Sequence, residues 1–142
     1  MIQWNADLAR KLQCRDDEKK GLTPIIARLM DLDRKARGEG FLSLESELAS
    51  IDDPLLSVGV RLVMEGVSGE ALEEILATYL LMEGRSGWLF LKACVTIEGL
   101  LALAESDDPA LMARKLLPYF GADKALVALE ELEKSAGEGK SP

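Results

Sequence analysis

A chain of 142 residues can bury roughly two thirds of its unfolded surface in one core, so a single domain suffices. Its formal charge of −8 argues against nucleic acid and anionic membrane surfaces as partners, because both are bound through basic stripes. Histidine is absent and Cys14 and Cys94 stand alone, which removes the common zinc spacings, a disulfide framework and the usual base for a Ser or Cys nucleophile.

Polar and charged residues follow within a few positions of Met1, without the apolar core of a signal peptide, so a cytoplasmic location is expected. Ile2 to Leu12 predicts a short helix, and the charged stretch Arg15 to Lys20 with Gly21 a solvated connector. Thr23-Pro24 then reads as a helix start, Thr as N-cap and Pro at the first position, with Ile25, Ile26, Leu29 and Met30 on the apolar face. Gly38 and Gly40 bend or weaken the segment before Phe41, Leu42, Leu44, Leu48 and Ile51 continue the pattern. Asp53-Pro54 opens a helix that stops at Gly66, and Ser68 caps another running to Gly84.

Ser86 is placed as the cap of a long apolar helix from Trp88 to Ala104. Lys92 and Glu98 would each cost about 2.5 to 3.5 kcal/mol near a bilayer centre, so this is a core helix and not a membrane span. Phe90, Leu91, Ile97, Leu100, Leu101 and Leu103 are expected inside, with Lys92 and Glu98 directed outward. Asp108-Pro109 and Asp123 start the last two helices, and 136–142 is expected to be a disordered tail.

Two stretches follow one plan. Gly40-Phe41-Leu42-Ser43-Leu44 precedes Asp52-Asp53-Pro54 and Gly66, and Gly99-Leu100-Leu101-Ala102-Leu103 precedes Asp107-Asp108-Pro109 and Gly121, with twelve positions from Pro to Gly in each. The expected architecture is therefore all-α: a compact bundle of seven or eight short helices with an internal two-fold repeat. It forms a single domain over 1–135, divided into an N-terminal helix and connector (1–21) and repeats at 22–84 and 86–135.

No residue set announces catalysis. Asp52-Asp53 and Asp107-Asp108 could hold a cation or act as acid and base, but Asp before Pro is first a helix-start signal. Glu73-Glu74 and Glu130-Glu131 read as solvated positions, and Gly38-x-Gly40 lacks the third glycine and strand of a phosphate loop. Trp4 and Trp88 read as core or cap residues. The expectation is a protein that is not an enzyme, with no catalytic residue, cofactor or metal.

The segment Arg37-Gly38-Glu39-Gly40-Phe41-Leu42-Ser43-Leu44-Glu45 resembles the cytoplasmic loop of the MotA family of flagellar motor stator subunits. Ile51 to Leu56 and Gly59 to Gly66 are similar to the remainder of that loop, and Thr96 to Glu105 with Asp108-Pro109 and Lys115-Leu116-Leu117 is similar to the family's C-terminal tail. The likeness spans Pro24 to Gly84 and Thr96 to Phe120. In the family, membrane helices precede the loop and separate it from the tail. Here the loop-like part passes directly into the tail-like part around 87–95, so the ion-conducting spans are missing from the pattern.

The resemblance implies a soluble stator-like domain that binds a rotor or motor-associated protein, the rotor switch protein above all, through a charged helical face. The family motif places the partner-binding roles on Arg37 and Glu45. On one uninterrupted helix these would lie about 80° apart and ~12 Å along the axis. The alternative is a structural module that self-associates as a homo-oligomer or pairs with another helical protein.

Overall fold

The long apolar run becomes the axis of an all-α bundle. The computed structural model describes residues 6–139, and among these are eight α-helices: α1 (Ala6–Leu12), α2 (Asp16–Lys19), α3 (Leu22–Glu39), α4 (Pro54–Met64), α5 (Gly69–Glu83), α6 (Trp88–Ala104), α7 (Pro109–Leu116) and α8 (Ala122–Gly139). Two 3-10 helices, Phe41–Ser50 and Leu117–Phe120, complete the order, and no strand occurs among the described residues. Helix α6 is covered by α1, α3, α4, α5 and α7. Its Phe90, Leu91, Ile97, Leu100 and Leu103 are buried, while Lys92 and Glu98 stay half-exposed. Leu101 is half-buried where burial was expected, because it sits three residues from Glu98 and shares that polar edge. No described helix is long and apolar enough to cross a membrane.

Two glycines let the helices around α6 approach closely. A Cβ built on Gly99 would lie 2.4 Å from Leu29 Cδ1 of α3, and one on Gly59 of α4 would lie 2.2 Å from Leu100 Cδ1. Each leucine therefore fills the space of a missing side chain, and both leucines are fully buried.

The Asp-Pro signals work locally at both positions. Asp53 accepts from the Leu55 N–H at 3.2 Å and Asp108 from the Leu111 N–H at 2.8 Å, with Pro54 and Pro109 opening α4 and α7. Gly66 and Gly121 follow the helical segments with φ of 87° each. The two segments differ elsewhere, and the expected two-fold repeat is not confirmed. Pro118 falls where α7 passes into the short 3-10 turn, whereas α4 is unbroken. Upstream, residues 40–44 enter the first 3-10 helix, but 99–103 lie inside α6.

Other expected starts move by a residue or two. Helix α3 begins at Leu22 after Gly21, so Thr23 lies inside its first turn and Pro24 needs no N–H there. Gly87, not Ser86, precedes α6, and Asp123 lies within the first turn of α8. Ser68 does stand before α5, but its side chain makes no capping bond. Tertiary contacts explain two of these shifts: Leu22 is fully buried, and the Gly87 N–H donates to the Lys11 carbonyl at 2.8 Å. The 15–20 connector contains the one-turn α2. Helix α8 continues to Gly139, so 136–139 are helical where a tail was expected. The rest of that tail, 140–142, lies outside the described residues, as do Met1 to Asn5 with Trp4.

Candidate functional site

Arg37 and Glu45 stand on different elements. Helix α3 ends at Glu39, where the Gly40 N–H bonds back to the Ala36 carbonyl at 2.7 Å, and Gly40 at φ 89° turns the chain out of the helix. Arg37 occupies the last turn of α3, and Glu45 the 3-10 helix beyond. The uninterrupted-helix geometry does not apply.

The tighter winding of 41–50 has a local cause. The hydroxyls of Ser43, Ser46 and Ser50 each donate to the carbonyl three residues back, at 2.6, 3.1 and 2.8 Å. At three residues per turn, side chains three apart eclipse. Phe41, Leu44 and Glu47 thus share one ridge, and Leu42 and Glu45 another. The first ridge faces the bundle. Leu44 is fully buried, and Glu47 accepts from Arg28 at 3.2 Å and from Lys35 at 3.3 Å, both on α3. Lys35 also donates to the Ser46 hydroxyl at 2.6 Å, and Arg28 to that of Ser50 at 2.7 Å. The start of the second ridge faces solvent, with Leu42 74% exposed and Glu45 exposed beside it, while Leu48 further along packs against the core. Among the described residues, no side chain pairs with Glu45.

Arg37 is exposed yet committed. Its Nη1 donates to the Ser106 carbonyl at 2.6 Å, joining the end of α3 to the turn between α6 and α7. Ser106 adopts a left-handed conformation, φ 58°, that turns the chain after α6. One turn before Arg37 is Asp33, which is 0% exposed and whose two carboxylate oxygens both lack a hydrogen-bond partner. Burial pushes the Asp33 carboxyl up to about 6, with Arg37 opposing the rise and Asp107 and Asp108 adding to it. Lys115 pairs with Asp107 at the same place.

Asp33, Ser106 and Glu47 were not singled out as site residues from the sequence. For Asp33 a signal existed. Leu22, Ile26, Leu29, Asp33 and Ala36 follow the alternating four-and-three spacing of a core-facing stripe, and all five are buried. For Ser106 none did, because 69 positions separate it from Arg37.

Elsewhere the chemistry is quiet. Burial raises the Cys94 thiol to about 12, with Glu98 contributing, and also raises Cys14, so neither favours a thiolate nucleophile. Tyr119 is raised by burial and by the charge of Glu98, to which it is hydrogen-bonded. No group of three or more Cys, Asp or Glu among the described residues is arranged to hold a metal ion.

Three curated relatives are similar to this chain over part of their length, each a motility protein A. That of Borreliella burgdorferi is 46% identical over 52 residues, 37% of this chain and 20% of the relative. That of Treponema phagedenis is 34% identical over 76 residues, 51% and 29% respectively. The Treponema pallidum protein is 38% identical over 69 residues, 47% and 27%. The chain is related to the motility protein A family. The match covers between 20% and 29% of the length of these motility protein A relatives. No family model matches the chain, and no solved structure does.

Proposed function

We propose that this chain is a cytoplasmic, non-catalytic module related to the flagellar motor stator, and that it binds a rotor or motor-associated protein through the charged surface around Arg37 and Glu45. The relationship to motility protein A carries the reading. The geometry supports it: both charges are exposed on either side of the Gly40 turn, and Glu45 is presented beside the exposed Leu42 on a helix braced against α3 through Glu47. An exposed apolar side chain beside an unpaired charge suits a protein contact in which charge steers encounter. The rotor switch protein is the partner to test. Its affinity for the chain should fall between low and high salt, and Arg37→Glu and Glu45→Lys should each weaken it. Unchanged affinity in both variants, with the parent chain binding, would reject this surface.

A second reading rests on α5. Ile75, Tyr79 and Met82 follow one helical stripe and are all exposed, Met82 at 80%. Such a stripe supports self-association or pairing with another helix. Sedimentation that shows a monomer independent of concentration would remove the self-association arm.

A further inference from the structure

Asp33 is the anomaly of the fold: a carboxyl in the core-facing stripe of α3, fully buried, with both oxygens unsatisfied. Buried polar groups nearly always have partners, and one without them calls for an explanation. Removing its charge would relieve the desolvation, and the neighbours are arranged to make that charge count. Arg34 and Arg37 act on it from its own helix, while Asp107 in the α6–α7 turn and Asp108 at the head of α7 repel it. The nearby Arg37 guanidinium is held by the Ser106 carbonyl.

We propose that Asp33 is a proton-operated positioning residue for Arg37. When it carries a proton taken from solvent, Arg37 remains on the Ser106 carbonyl and presents its other N–H groups at the surface. When it loses that proton, the buried negative charge one turn away draws the guanidinium inward, loosens the tie to the α6–α7 turn and withdraws the cation from an acidic partner. Arg37 is the sole cation of the pair able to do this while joined to that turn, since Arg34 is already paired with Asp31 at 2.9 Å. The functional consequence rests on the reading of Arg37 as a partner contact, but the switch does not.

The switch is therefore tested on the free 142-residue chain. Carboxyl carbon-13 and arginine side-chain nitrogen-15 NMR would be followed from pH 4 to 8. Asp33 should titrate about two pH units above an ordinary aspartate, and the Arg37 and Ser106 resonances should move with the same midpoint. Asp33→Asn should abolish that movement. Should Asp33→Asn not fold, Arg37→Gln serves: losing the cation should raise the Asp33 midpoint by more than about half a pH unit. An Asp33 midpoint in the ordinary range, Arg37 resonances that ignore it, or a midpoint unmoved by Arg37→Gln would overturn the proposal. Binding to the switch protein, measured at pH 5.5 and 7.5, is the separate arm. An intact titration with no binding at either pH would retain the switch and remove only the partner reading.

Discussion

Leu29 of α3 rests on Gly99 of α6 so closely that a methyl group on the glycine would come within 2.4 Å of Leu29 Cδ1 and 3.1 Å of its Cγ. Rotating the end of the leucine cannot clear both atoms. Gly99→Ala should therefore destabilise the fold by about 1 to 3 kcal/mol, less roughly 1 kcal/mol regained from the better helix propensity of alanine. Gly59→Ala, against Leu100, should behave alike. Urea unfolding of the two variants checks this, and a gain in stability in either would contradict the close packing.

Leu100 and Leu101 are adjacent but not equivalent. Leu100 is fully buried under α4, whereas Leu101 lies half-exposed on the polar edge of α6. Leu100→Ala should cost about 2 to 5 kcal/mol, and Leu101→Ala clearly less. Equal losses in parallel denaturant titrations would show that α6 is rotated from the position described.

Stability should respond to Asp33 in a defined direction. Its carboxyl is raised from 3.8 to about 6 in the fold, so between those values the folded chain binds more protons than the unfolded one. The contribution of Asp33 is then most favourable below pH 4 and is lost as the pH climbs to 6. Asp33→Asn should remove this dependence and raise stability above pH 6, relative to the parent, by about 1 to 3 kcal/mol. Thermal melts of both proteins at pH 4 and 7.5 measure it. A parent-minus-variant difference that does not change with pH would be the wrong result.

The two charges of the candidate surface should differ in their structural cost. Glu45 has no partner among the described residues, so Glu45→Lys should change stability by no more than ~0.5 kcal/mol. Arg37 ties α3 to the Ser106 carbonyl, and Arg37→Gln should cost about 1 kcal/mol. Hydrogen exchange should quicken at Asp107 and its neighbours in the Arg37 variant alone.

Glu47 braces the 3-10 helix through Arg28 and Lys35. Glu47→Ala should leave the core intact yet speed amide exchange across 41–50, at a cost of about 1 kcal/mol. Exchange unchanged in that segment would mean that burial of Leu44 suffices to hold it.

Local signals made a large part of the fold legible. An Asp before a Pro starts a helix by bonding its own first N–H groups, so α4 and α7 could be placed from a few adjacent residues. The apolar run at 88–104 announced a buried axis in the same way, because its hydrophobicity exceeds one helical face. Arg37 and Glu45 were legible as an exposed pair only through the family motif. The serines at 43, 46 and 50 carried the three-residue winding that separates them, a signal visible in the sequence but not used.

What the sequence by itself determined is thus the helical class, the two Asp-Pro starts, the buried axis and the stripe into which Asp33 falls. These depend on residues within a turn or two of one another. The tertiary structure alone decided that Gly21 and Gly87, and not their hydroxyl neighbours, would precede α3 and α6, that Glu47 would be taken up by Arg28 and Lys35, and that Arg37 would reach Ser106. Each depends on which surface lies opposite, and that is set by packing around α6 between residues far apart in the chain. Asp33 joins the two levels: its position in the stripe is local, but only the α6–α7 turn brings Asp107 and Asp108 to bear on it and leaves its carboxyl without a partner.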